Sequence, residues 1–523
     1  MAHSSTRSSK LSLSTLGVAL MTLLSRLLGF LRDLVFANLF GAGVAFDAFV
    51  IAFRLPNFFR RLFAEGAFSQ AFIPVLSTYS AEQDPDRLRD FLSNMYGVLG
   101  FILLIVVTIG VVAAPLVLLI IAPGYLAYPA QFATTAHMIR LLFPYLMLVS
   151  LAAFATATLN TFSRFVMPAL APIVFNLVLI IGSALWVVKT KAPLSALAIM
   201  VLVGGLFQWL VQWPILARLQ LLVLPRFGWR HPGVRRVLRL MLPALLGVSV
   251  AQLSLLIDNA FASFLVQGSI SWLYYSDRLV YLPQGVIGVA LATVVLPHLS
   301  HNVAQKNTAA YADTLNWALR IVFLFSMPAG VGLALCAAPI IATLFLHGAF
   351  GVHDLEMTVR SLRLFCVGMP AFMLIKILAV AFYARQQIKT PVKIAIIASA
   401  VGVVLNALLI GPLAHAGLAL ATSMACWVNA MGLFYRLWQQ GDYQWSRTTW
   451  QFIARVCVAS AVMAVYLLWA VGSAAHWSAH PLLWRVAHLA GIIISALLGY
   501  FVILWLCGVR RSDLVRDGES FCN

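Results

Sequence analysis

The chain has 523 residues, of which 62% are hydrophobic and 10% charged, and carries a formal net charge of +19. A soluble domain holds about 45–50% apolar residues, so this excess excludes an ordinary soluble enzyme and calls for lipid as the solvent. The basic residues lie in short connections between apolar runs rather than in a polar domain, which excludes a nucleic-acid-binding domain and makes them topology determinants.

Unpaired backbone groups are too costly in hydrocarbon, so apolar runs of about twenty residues must be helices or closed barrels. The runs here are continuous and non-alternating, which predicts helices. In chain order the predicted spans are 11–38, 45–75, 91–120, 133–160, 166–188, 193–219, 237–265, 273–300, 313–345, 358–384, 391–412, 415–438, 450–471 and 482–508. The stretch 4–25 begins like a signal peptide, but no small-residue cleavage site follows and the run continues past Arg26, so it reads as the first span. Even-numbered connections carry Arg87 and Arg89, Arg164, Arg218 to Arg236, Lys306, Arg385 and Lys389, and Arg436 and Arg447; odd ones are nearly bare apart from Lys189 and Lys191. That bias predicts that both termini face the cytoplasm.

An internal repeat accompanies the spans. Arg54-Leu55 leading to Pro74 and Ser77 is matched by Arg278-Leu279 leading to Pro297 and Ser300, and the prolines stand 223 apart. Pro168 and Pro391 show the same displacement. An even number of spans per copy gives parallel repeats about an axis along the membrane normal. The expected fold is therefore an all-α integral membrane protein of about 14 transmembrane helices, with two six-helix lobes (1–220 and 221–440) around a central cavity and two more helices in 441–523.

An ionisable residue at the centre of a span costs at least about 2.5–3.5 kcal/mol, so it should face a protein interior or a wet cavity. The first span holds Arg26, Arg32 and Asp33; the second holds Asp47, Arg54, Arg60, Arg61 and Glu65. Asp47, Arg54 and Arg61 recur every seven residues and Glu65 follows Arg61 by four, which places these four on one helical face. Pro56 and Gly66 predict a kink or break beside them. In the second copy Asp277 and Arg278 occupy the corresponding place, preceded by Trp272, Tyr274 and Tyr275. Six arginines against Asp33, Asp47, Glu65 and Asp277 leave a cavity net positive, and the planar guanidinium suits phosphate oxygens. The alternative reading makes Arg32-Asp33 and Asp277-Arg278 structural ion pairs.

Other chemistries find little support. The six cysteines lack metal-ligand spacing and read as small packed hydrophobes. His137, His298, His347, His353 and His415 are scattered singly, and no GxxxxGK[ST] motif occurs, so neither a metal-dependent enzyme nor an ATP-driven pump is expected. A cationic-drug exporter would need an acidic or aromatic cavity, and a non-transporting scaffold would leave the intramembrane charge without a role.

The stretch Ser25 to Asp33 (SRLLGFLRD), Gly41-Ala-Gly43, Asp47-Ala-Phe49, Arg54-Leu-Pro-Asn57 and Arg60 to Phe72 closely resembles the MurJ (MviN) family of lipid II flippases. Trp272 to Leu279 (WLYYSDRL), 285–300 and Arg385 to Lys393 (RQQIKTPVK) extend the resemblance over nearly the whole chain. It implies the fold of the multidrug/oligosaccharidyl-lipid/polysaccharide exporter superfamily, a lipid-tail groove on the last two helices, and movement of undecaprenyl-pyrophosphate-linked disaccharide-pentapeptide to the outer leaflet for peptidoglycan synthesis. It implies a non-enzymatic carrier, monomeric and associated with cell-wall synthesis machinery. The family's cavity arginines fall on Arg26, Arg32, Arg60 and Arg278, with an acidic position at Asp47. Tyr281 stands where some members carry glutamate. Asp258 matches an aspartate that helps bind sodium in some relatives, and Asn406 and Thr422 complete a candidate oxygen set for that ion; no other cofactor is expected.

Overall fold

The computed structural model describes the backbone of residues 2–60, 68–441, 443, 446–510 and 513, and within these all side chains except 2–16, 18, 19, 242–253, 255 and 289. Every regular element among the described residues is helical, as hydrocarbon demands of a backbone that must bond internally. The chain forms two compact units, Met1–Gly268 and Ser269–Asn523.

The first unit contains α1 (Ala2–Phe40), α2 (Val44–Phe59), α3 (Phe68–Ala81), α4 (Pro85–Val112), α5 (Ala114–Ile121), α6 (Pro129–Leu142), α7 (Tyr145–Thr161), α8 (Val166–Leu185), α9 (Pro193–Leu210), α10 (Trp213–Arg218) and α11 (Pro232–Ala262). The second contains α12 (Ser269–Pro283), α13 (Val289–Ala304), α14 (Thr308–Leu335), α15 (Ala337–Leu344), α16 (Val352–Cys366), α17 (Met369–Ala384), α18 (Lys389–Gln439), α19 (Arg447–Val471), α20 (Ala474–Ala479) and α21 (Leu482–Leu506).

Nine described helical segments are long and apolar enough to cross a bilayer, and α16 with α17, bent by 42°, makes a tenth. One of the nine is α18, whose 51 residues would extend about 77 Å if straight, more than twice the roughly 30 Å hydrocarbon layer. It turns at Ala414, where φ is 49° and ψ −132°. The predicted spans 391–412 and 415–438 lie on either side of that turn.

Several runs predicted as continuous are broken. The run 91–120 divides into α4 and α5 at Ala113, 133–160 into α6 and α7 at Pro144, 313–345 into α14 and α15 at Cys336, and 358–384 into α16 and α17 beyond Cys366. Each break contains or is closely followed by a proline, Pro115, Pro144, Pro339 or Pro370, which lacks an N–H and clashes with the preceding turn. The repeat reaches these boundaries too. Pro85 and Thr308, Ala114 and Ala337, Pro129 and Val352, and Val166 and Lys389 each open corresponding helices 223 residues apart.

In the first unit α1 packs on α8, α8 on α9, α2 on α6 and α11 on α3. Phe36, Phe46, Phe49 and Phe53 form an aromatic ladder between α1 and α2 that continues into Tyr145 of α7 and Phe175 of α8. In the second unit α12 packs on α16, α16 on α18, α14 on α17, and α19 on α14 and α21. Asn316 of α14 accepts hydrogen bonds from Tyr443 Oη (2.8 Å) and Thr449 Oγ1 (3.2 Å), which fixes the start of α19. Burial pushes the Tyr443 phenol above its ordinary pKa. Arg485 of α21 is only 8% exposed and donates to the carbonyls of His480 (2.7 Å), Ala342 (2.9 Å) and Ser478 (2.9 Å).

Candidate substrate site

Arg32 of α1 is buried. Its Nη2 and Nε donate to Asp33 Oδ1 at 2.7 and 3.1 Å, and its Nη1 donates to Asn176 Oδ1 of α8 at 3.1 Å. Arg32 and Asp33 thus form an ion pair, and the guanidinium is also tied across the unit to a neutral amide. Asn176 sits 3.6 Å from the Cβ position of Gly29, so α1 and α8 are closely apposed there. Arg26 is half-buried on the same helix.

On α2, Asp47 is 1% exposed, and its Oδ2 accepts the backbone N–H of Gly268 at 2.7 Å. Gly268 has φ +94°, a conformation open to glycine and strained for other residues. The carboxylate thus fastens α2 to the segment that follows α11. Arg54, two turns further along α2, donates from Nη1 to Asn259 Oδ1 of α11. Arg60 donates from Nε to Asn57 Oδ1 at 3.3 Å. Arg61 and Glu65 lie outside the described residues, as does the region of the predicted break at Gly66.

In the second unit Arg278 of α12 is half-buried. Its Nη2 donates to Tyr274 Oη at 3.1 Å, and its Cζ lies 4.9 Å from that ring's centroid, so the tyrosine one turn earlier holds the cation by oxygen and by π-face. Asp277 and Tyr281 are exposed. Trp272 Nε1 donates to Asp354 Oδ1 of α16 at 3.0 Å, anchoring the start of α12. Of the sodium candidates, Asp258 is half-buried on α11 in the first unit, while Asn406 and Thr422 lie on α18 in the second, Asn406 buried and Thr422 Oγ1 donating to Leu418 O at 2.9 Å.

Sequence reading missed Asn176, Asn259 and Gly268, because a neutral amide or a backbone N–H carries no charge signal in an apolar run. It also missed Lys376 of α17, whose Nζ donates to Gln284 O at 3.2 Å. That carbonyl opens the π-helical turn Gln284–Gly288 between α12 and α13. Such turns widen the hydrogen-bond ring and recur at functional sites.

Fold comparison first gives the class. The chain matches an inward-facing multidrug resistance MATE family transporter of the MOP superfamily at TM-score 0.65 and 14% identity, over 81% of this chain and 98% of that one. The two chains share a multi-pass helical fold. It matches a solved structure described as lipid II flippase MurJ in an inward closed conformation at TM-score 0.80 and 26% identity, over 94% of this chain and 98% of that one. The family profile described as lipid II flippase MurJ matches residues 36–488. A probable lipid II flippase MurJ of Vibrio cholerae is 43% identical over 97% of this chain and 98% of its own length. The lipid II flippase MurJ of Burkholderia cenocepacia is 39% identical over 95% of this chain and 98% of its own length. The chain belongs to the lipid II flippase MurJ family.

Proposed function

We infer that this chain is a lipid II flippase, carrying undecaprenyl-pyrophosphate-linked peptidoglycan precursor from the cytoplasmic to the outer leaflet of the inner membrane by alternating access. The observation that carries this reading beyond family membership is the way guanidinium groups are held inside apolar helices. Arg54, Arg60 and Arg278 each donate to an uncharged oxygen, of Asn259, Asn57 and Tyr274. Such a bond orients a guanidinium, and the planar fork of the group suits the oxygens of a pyrophosphate. Arg32 pairs with Asp33 and bonds to Asn176, so its part is to orient α1 against α8 as well as to add positive potential.

In this reading Arg26, Arg32, Arg54, Arg60, Arg61 and Arg278 draw the pyrophosphate into a central cavity, with Asp47, Glu65 and Asp277 shaping its polarity. The prenyl tail stays in lipid along α19 and α21. Fourteen spans place both termini in the cytoplasm. The lobes 1–220 and 221–440 follow the repeat, which assigns α11 to the second copy, although α11 packs with α3. The protein works as a monomer beside the cell-wall synthesis machinery. No bond of the substrate is broken; each charge moved through the field gains about 2.3 kcal/mol per 100 mV. Sodium bound at Asp258, with Asn406 and Thr422, is a second source of drive.

Replacing Arg26 or Arg278 with Ala should abolish growth of flippase-depleted cells while the protein still inserts. Full growth with both replacements would overturn the anion-site reading. In vesicles, transport of lipid II at an unchanged rate without sodium would remove the role given to Asp258.

A further inference from the structure

The second unit contains an apolar pocket of about 590 Å³ between α14, α17, α18 and α19. Phe323, Leu378, Trp427, Phe434, Trp438 and Trp450 are among its walls. Along α18 its lining runs from Trp438 to Trp427, about 16 Å of helix. Trp438 and Trp450 are more than half exposed, so two indoles frame the end where α18 finishes and α19 begins, as tryptophans do at a membrane interface. Trp427 donates its Nε1 proton to Val367 O at 2.9 Å, which leaves its ring to form an apolar wall.

A cation stands beside this slot. Arg320 lies on α14 between Leu319 and Phe323, both of which line the pocket. Helical geometry puts 316, 319, 320 and 323 within one sector of about 100°, and Asn316 in that sector faces the start of α19. The Nε of Arg320 is buried and has no hydrogen-bond partner among the described residues. Two further cations end the pocket helices on this side. Arg385 closes the face of α17 that carries Leu374 and Leu378, its guanidinium 4.2 Å from the Tyr311 ring centroid; Arg447 stands one turn before Trp450. Asp313, two turns before Arg320 on α14, is exposed.

We propose that this pocket holds one acyl chain of an anionic glycerophospholipid from the surrounding bilayer, with the lipid phosphate on Arg320. An apolar slot ending in indoles and guanidinium groups matches a chain below a phosphate, and the net positive rim selects a net negative headgroup. The site is separate from the proposed path of the transported tail: α21 does not line it, and α19 is the one helix they share.

The test is native mass spectrometry of the purified full chain, stripped of lipid and titrated with phosphatidylglycerol. One lipid should be retained, and Arg320→Gln should weaken it about tenfold, the loss of one charge-assisted contact. Met431→Trp, which fills the slot from its exposed rim, should weaken it comparably with an unchanged melting temperature. Parental affinity in either variant would overturn the proposal. Equal binding of phosphatidylcholine would refute the anionic preference, and equal binding of chain-free glycerophosphoglycerol or inorganic phosphate would refute the acyl slot. Competitive displacement by undecaprenyl pyrophosphate would assign the pocket to the transported substrate instead.

Discussion

The bond between Asp47 and Gly268 allows a quantitative prediction. Its acceptor is a carboxylate 1% exposed, its donor is a buried backbone N–H, and the separation is 2.7 Å. Hydrogen bonds to charged groups contribute about 1.5–3 kcal/mol, and removing the acceptor strands a buried donor. Asp47→Ala should therefore favour separation of the segment after α11 from α2 by about 2 kcal/mol, roughly thirtyfold in the opening equilibrium. Amide hydrogen exchange reports this directly. The Gly268 N–H should exchange roughly thirtyfold faster in the variant when opening is rapid and reversible, with amides in the middle of α4 unchanged as the internal control. Asp47→Asn keeps an acceptor but loses the charge, and should fall between the two. Exchange at Gly268 equal to that of the parent would refute the idea that this carboxylate fastens the two segments, and any loss of transport in Asp47 variants would need another cause.

Three further outcomes follow from other contacts. Arg485→Met should lower stability by at least about 2 kcal/mol, because the carbonyls of His480, Ala342 and Ser478 lose a charged donor; thermal unfolding in detergent measures this, and an unchanged melting temperature would contradict it. Tyr443→Phe should cost about 1 kcal/mol, since Asn316 keeps only the bond from Thr449. Because burial raises the Tyr443 pKa, its neutral phenol supports folding in full below about pH 10. That support is lost as pH rises through the folded-state value, so the parent should lose more stability than Tyr443→Phe in alkali. Gly97→Ala would place a Cβ 2.2 Å from the carbonyl oxygen of Arg226, displacing the connection between α10 and α11. Faster tryptic cleavage at Arg226 and Arg230 should reveal it, and parental cleavage would exclude it.

Hydropathy marked the nine or ten long apolar segments found among the described residues, and intramembrane charge drew attention to Arg32, Asp47, Arg54 and Arg278, because both signals are strong in the sequence itself. What holds those charges was hidden. Asn176 is 144 residues from Arg32, and Asn259 is 205 from Arg54; nothing in a neutral amide distinguishes such a partner from a packed polar residue. Arg320 escaped notice because it stands alone between apolar neighbours, without the spacing that drew attention to α2. Helix breaks were partly visible as prolines. A proline at the first turn of a helix and one that interrupts a helix look alike in sequence, and α4 and α5 illustrate both cases with Pro85 and Pro115.

The matching positions of the helix openings carry a consequence for how such a gene can change. From Pro85 to Val166, and again from Thr308 to Lys389, the two halves agree without a net insertion or deletion. A surface loop tolerates added length at little thermodynamic cost, so conformational entropy alone does not impose this parity. Connections whose length is fixed by what they join would impose it. Lengthening one of them in a single half, even by a residue remote from any arginine, should therefore be tolerated worse than a substitution at the same place.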